Sequence, residues 1–213
     1  MKFKLLTAAG LLILSSISAI AQPPQEDVDT SMGFFITSAG SGDGANLGGL
    51  VGADAHCASL AAAVGSTGKT WRAYLSTNGN NGIDARARIG QGPWYNSEGQ
   101  LVARSLTDLH YSNVNFNKQT ALNEQGNIVN GRGDQPNQHD ILTGSNPDGT
   151  ASEMTCNNWT SNAVDGSSMV GHFDRTGGGA LPESWNAAHP SRGCSQENLM
   201  ATGGNGYFFC FAQ

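Results

Sequence analysis

Apolar positions fall into helical and strand periods in only a few stretches of this chain. Leu50, Ala53, Cys57, Leu60, Ala61 and Val64 recur at three- and four-residue steps, the spacing of one helix face. Gly65 stands where such a helix ends in a left-handed residue, and Gly68 reopens the chain. Trp71, Ala73 and Leu75 then alternate with Arg72, Tyr74 and Ser76, which predicts a half-buried strand. Further strands are predicted at Gly33–Ser38, near Ser168–Phe173 and at Gly206–Ala212, the last alternating strongly and carrying Cys210. A short helical segment at Ile83–Ile89 spaces Asp84 and Arg88 for an i,i+4 pair. Leu101–Ala103 and Leu106–His110 are short apolar pieces, and Gly92-Pro93 sets a turn before Trp94 and Tyr95. From Ser112 to Thr150 the chain is almost wholly polar. A long loop of that kind inside a compact domain is often functional.

The amino terminus has a different pattern. Lys2 and Lys4 precede an apolar run, Leu5–Ile17, and a small-x-small site, Ala19-Ile20-Ala21. That is the layout of a signal peptide over residues 1–21, with a polar leader over 22–33 and one domain over 34–213. The apolar run is short for a bilayer span, so no membrane insertion is expected. Removing Lys2 and Lys4 leaves nine basic residues against seventeen acidic, a net charge near −8. Such a surface repels nucleic acid, heparin-like polyanions and anionic lipid. Charged residues are only 13% of the chain, so its polar surface is built from amides, hydroxyls and glycine. Glycine, at 29 of 213 residues, argues for turns and ordered loops rather than a helical bundle. The four cysteines, Cys57, Cys156, Cys194 and Cys210, form an even set in an exported chain and read as two disulfides. Three pairings are open, and the absence of any C-x-x-C spacing argues against a cysteine zinc site.

Three blocks carry a family resemblance: GADAHCASLAAAVGSTGKTWRAYLST, DARARIGQGPWYNSEGQLV, and GSNPDGTASEMTCNNWTSNAVDGSSMVG followed by GCSQENLMATGGNGYFFCFA. Together they resemble the endostatin-like domain, a compact branch of the C-type-lectin-like fold, over roughly Phe34 to Gln213. The resemblance implies an α+β fold: a twisted, mostly antiparallel sheet, one or two helices and long loops. It also implies a nested pairing, Cys57 with Cys210 and Cys156 with Cys194. Animal members bind heparan sulfate through clustered arginines and carry an amino-terminal histidine zinc site. Here the charge has the opposite sign and no histidine precedes His56. The chain is therefore more similar to bacterial secreted members, for which the fold implies lectin-like binding.

A sugar site needs an aromatic face beside amides and carboxylates. Trp94, Tyr95 and Trp185 are candidates, with Gln135, Asn137, Asp140 and Asn186 as polar partners. Lectin-like domains often hold calcium through a proline–amide loop and a Trp-Asn strand, which would map to Gln135, Asn137, Asp148 and Asn186. Trp71 is expected in the core and Trp159 on the Cys156 disulfide. Arg132-Gly133-Asp134 spells an adhesion tripeptide but reads as a loop, and the Asn158-Trp159-Thr160 sequon is expected to be idle in a bacterial protein. His56, His110, His139, His172 and His189 are scattered, without HExxH, and G-x-S-x-G is absent. The expectation is a secreted or periplasmic, non-catalytic module for a glycan or glycoprotein surface. It requires no cofactor, and calcium is the ion it allows. The alternative is a structural or adhesive domain recognising another protein.

Overall fold

The computed structural model describes residues 29–213, so the expected signal peptide and residues 22–28 of the leader lie outside the described residues. Helix α1 spans Gly49–Ala63 and buries Ala53, Cys57 and Ala61. Leu50 and Leu60 pack at the edge of the same face, while Val64, at the helix end, is exposed. The helix closes as expected, with Gly65 at φ +81° and the Ser66 amide donating to Ala61 O at 2.9 Å. Strand β2 (Trp71–Ala73) follows, and Asp54 ties it to the helix. The Asp54 carboxylate accepts from the Ala73 amide at 2.9 Å, from Arg72 at 2.8 Å and from Arg88 at 2.8 Å. The expected Asp84–Arg88 pair is therefore not made. Asp84 instead accepts from the Ala151 amide at 2.8 Å, and its segment holds only a short 3-10 turn at Ala85–Ala87.

The sheet is built around β8 (Gly204–Ala212), which pairs antiparallel with β1 (Phe34–Ile36) and β2. Its first half pairs in parallel with β5 (Asp140–Leu142), and β6 (Met169–His172) and β7 (His189–Pro190) continue outward. The six-stranded sheet is thus mostly antiparallel, as expected, and mixed through the one parallel pairing of β5 with β8. A separate ribbon is formed by β3 (Trp94–Tyr95) and β4 (Leu101–Ala103). Both disulfides, Cys57–Cys210 and Cys156–Cys194, are formed, and the first joins α1 to β8. Short helical pieces complete the fold: α2 (Cys156–Trp159), one turn with all four residues at positive φ, and α3 (Gln196–Thr202), capped by Ser195. No helix among the described residues is long and apolar enough to cross a membrane.

The alternation in β8 feeds two cores. Phe208 and Cys210 face α1 and both disulfides, whereas Tyr207, Phe209 and Phe211 face the loop side. The strand is covered on both faces, which is why Tyr74, predicted to point outward beyond β2, is fully buried. The 112–150 segment is not one long loop, because it contributes Phe116, Ala121 and Val129 to the core and supplies β5 to the sheet. Its asparagines replace secondary structure: Asn123 Oδ1 accepts from the amides of Gln125 at 3.0 Å and Asn127 at 2.8 Å. Polar composition here encodes turns.

Candidate metal centre

The register of β5, β6 and β7 assembles a cluster that no local motif announces. Asp140 stands directly opposite His172 across β5 and β6, and His189 stands opposite Val170 across β6 and β7. Val170 and His172 are two apart in one strand and share a face, so Asp140, His172 and His189 converge. His139 precedes β5, where the chain is not yet bound to strand alternation. Its ring stacks on His172 with centroids 4.1 Å apart and planes 9° from parallel. Gly171 allows this arrangement: a Cβ there would lie 1.9 Å from Trp185 O, so any side chain would push the 184–189 segment away from β6.

Each imidazole is oriented by its Nδ1. His139 Nδ1 donates to Asp174 Oδ1 at 3.1 Å, His172 Nδ1 to Pro182 O at 2.9 Å and His189 Nδ1 to Pro190 O at 3.0 Å. These acceptors carry no proton, so in the neutral rings Nδ1 holds the hydrogen and Nε2 a lone pair. All three Nε2 atoms point at one oxygen. Asp140 Oδ1 lies 3.2 Å from His139 Nε2, 3.1 Å from His172 Nε2 and 3.5 Å from His189 Nε2. Asp140 is 2% exposed, and neither of its carboxylate oxygens has a hydrogen-bonding partner, nor does His172 Nε2. Converging lone pairs in a buried site call for a cation.

The spacing says which kind. Donors around a tetrahedral ion at about 2.0–2.1 Å are separated by roughly 3.3–3.4 Å; the three edges that meet at Asp140 Oδ1 bracket that value, and the donor atoms of His139, Asp140 and His172 all lie within 4.8 Å of one another. Charge-assisted N–H···O bonds would be shorter, at about 2.7–2.9 Å. Protonating the rings instead would stack two buried imidazolium cations face to face. Three nitrogens and one carboxylate oxygen suit Zn²⁺ and its neighbours Co²⁺, Ni²⁺ and Cu²⁺, whereas Ca²⁺ and Mg²⁺ require oxygen sets. The residues that could hold the ion are His139, Asp140 and His172, with His189 beside them. Asp174 completes a carboxylate–histidine arrangement that fixes the tautomer of His139.

The local charges reflect the same contacts with the rings protonated. Burial pushes the Asp174 carboxyl up, but the His139 imidazole and the amides of Arg132 and Thr176 outweigh it and hold the pKa at about 2. Burial likewise opposes ionisation of Asp140; when the rings carry a second proton, His172 and His189 donate Nε2–H to it and hold its pKa below the ordinary value. His189 is raised by its contact with Asp140. At neutral pH both carboxylates are ionised.

The centre lies beneath a cleft of about 530 Å³ lined by Arg132, Asn137, His139, Gly178, His189 and Thr202 among others. Asn137 and Thr202 also line a second groove of about 490 Å³ with Gln135, Gln138, Met200 and Asn205. Three expected site residues, Gln135, Asn137 and Asp140, therefore lie in this one region. The others do not join them. Trp94 and Trp185 are 2% and 1% exposed and sit in the loop-side core, Trp94 edge-on to Phe211 and Trp185 against Phe116, so neither offers a face to a sugar. Tyr95 is half-buried in β3 beside Trp94. The expected calcium set is not gathered either. Asn186 spends its amide on Tyr74 Oη and the carbonyls of Asn146 and Pro147, and Asp148 binds Thr150 beside Arg86. The adhesion tripeptide is also engaged, with Asp134 paired to Lys118 and capping the Gly131 amide.

The cluster gathers three histidines, His139, His172 and His189, that the sequence left scattered. They stand 33 and 17 residues apart, so only strand register brings them together. The one local sign was the adjacent His139-Asp140 pair at the end of a polar segment. No protein-family model matches the chain, and comparison with curated proteins gives no match.

Proposed function

We propose that this protein is an exported, non-catalytic binding module that holds a zinc-class ion at His139, Asp140 and His172, with His189 beside them, and takes a carbohydrate in the grooves next to it. The observation that carries the metal reading is the set of three Nε2–Oδ1 edges at 3.1–3.5 Å around a buried carboxylate without hydrogen-bond donors. His139, Asp140 and His172 offer three buried donor atoms within 4.8 Å of one another, and His189 Nε2 stands beside them, 3.5 Å from Asp140 Oδ1. The binding role rests on the polar grooves beside the centre and on the fold resemblance. The ion would join β5, β6 and β7 at the sheet edge and fix the floor of the groove.

The carbohydrate reading rests on amides and hydroxyls at Gln135, Asn137, Gln138, Thr202 and Asn205, since the expected tryptophan platforms are in the core. The resemblance to endostatin-like members of the C-type-lectin-like fold supports the same role, and the nested disulfides and α+β sheet agree with it. The two disulfides also suit a secreted or periplasmic location. The test is metal analysis of the oxidised protein after equilibration with Zn²⁺ and gel filtration. One equivalent per chain, reduced to background in His172→Ala, is expected. Zinc retained equally by His172→Ala would remove the site.

A further inference from the structure

We infer that the cleft above the metal centre selects a sugar acid, a hydroxylated ligand carrying a single carboxylate. The inference rests on the metal reading and names the ligand class of that same site. Arg132 lines this cleft with His139 and His189. Its backbone amide donates to Asp174 at 2.6 Å, which fixes the residue over the carboxylate that orients His139. Its guanidinium forms no ion pair or hydrogen bond among the described residues. Arg72 and Arg88 are held by Asp54, Arg86 by Asp148, Arg104 by Asp108 and Arg175 by Asn113, while Arg192, the other arginine without a partner among the described residues, lines neither groove. An unpaired guanidinium at the mouth of a cleft is a fork for a carboxylate.

The charge balance points the same way. A divalent ion and Arg132 against Asp140 and Asp174 leave this site one positive charge in a chain that is acidic as a whole. A single carboxylate matches that field, whereas a polyanion would meet the acidic surface around it. The rest of the ligand meets hydroxyl-binding groups. Asn137 accepts from the His139 amide through Oδ1, which leaves its Nδ2 donors to the cleft. Gln135 has no side-chain partner among the described residues and lines the adjoining groove, reached past Asn137 and Thr202. Amide donors and acceptors in a row beyond an anion fork fit ring hydroxyls.

The experiment is calorimetric titration of zinc-loaded protein, its metal content measured beforehand, with galacturonate, galactose and acetate. Galacturonate is expected to bind at least tenfold more tightly than either of the others. Arg132→Gln should erase its advantage over galactose, and Asn137→Ala its advantage over acetate. Removing zinc should weaken galacturonate, because Asp140 and Asp174 are then uncompensated. Equal binding of galacturonate and galactose, or galacturonate binding indifferent to Arg132→Gln, would overturn the inference. So would absence of galacturonate binding to protein that retains its zinc. Failure to retain zinc is read in the metal analysis and refutes the underlying centre instead.

Discussion

Asp140→Asn reverses its effect on stability according to whether metal is present. In the metal-free protein, the Asp140 carboxylate is buried, both oxygens lack donors, and three imidazole nitrogens face it. Leaving a buried polar group unsatisfied costs about 1–3 kcal/mol. Asparagine has the same shape without the charge, and its Nδ2 can donate to His172 Nε2 or His139 Nε2 from a position 3.1–3.2 Å away. In chelator, the variant should therefore be more stable than the parent by about 1–3 kcal/mol. For a chain of this length that is an increase of roughly 3–10 °C in Tm. With zinc the order inverts. Free metal at about a thousand times its Kd stabilises the parent by roughly 4 kcal/mol, and the variant, lacking the anionic ligand, forfeits that gain. Thermal melts of both proteins at pH 8, with EDTA and with zinc, decide the matter. An Asp140→Asn protein less stable than the parent in EDTA would refute the reasoning, because Asp140 would then be a net structural contact.

Asp174→Asn should weaken zinc binding about 10–100-fold by releasing the His139 tautomer, as measured by competition with a chromogenic chelator. Asp174 also sets a pH dependence. Its folded pKa, about 2, lies below the ordinary 3.8, so it contributes stability of about 2 kcal/mol above pH 4 that is lost as pH falls towards 2. Urea melts of metal-free parent and variant should converge across that window, and a constant gap would contradict the assignment. Trp185→Ala should cost about 3–5 kcal/mol in denaturant melts, because it empties the core between Tyr74, Phe116 and Phe209; a loss under 1 kcal/mol would return Trp185 to the surface. Replacing Cys57 and Cys210 by alanine should cost about 5 kcal/mol against about 4 for Cys156 and Cys194, since the first disulfide closes 153 residues and the second 38. The order is read from urea midpoints.

What could be read from sequence followed from local periodicity. The α1 face, the glycine that closes it, β2 and β8 all carry repeats long enough to show one buried side. The resemblance added the disulfide pairing. β5 escaped notice because three residues, Asp140–Leu142, are too few to display a period inside a polar segment. Arg88 was given the wrong partner because Asp84 is its neighbour in sequence, whereas Asp54 reaches it through the packing of α1 on β2. Trp94 and Trp185 sit in segments with turn chemistry, and their burial comes from a second core that only the three-dimensional path of residues 112–150 creates. The metal centre shares that origin. Each ligand alone is an ordinary polar residue, and the pairings Asp140–His172 and Val170–His189 turn them into one site.

X-ray absorption at the zinc edge, on oxidised protein carrying stoichiometric zinc, tests the central claim most directly. Four nitrogen or oxygen neighbours at about 2.0–2.1 Å are expected, with the outer-shell scattering of at least the two imidazoles of His139 and His172. A six-oxygen shell without imidazole scattering would contradict it, because the ion would then be bound on the surface rather than at His139, Asp140 and His172.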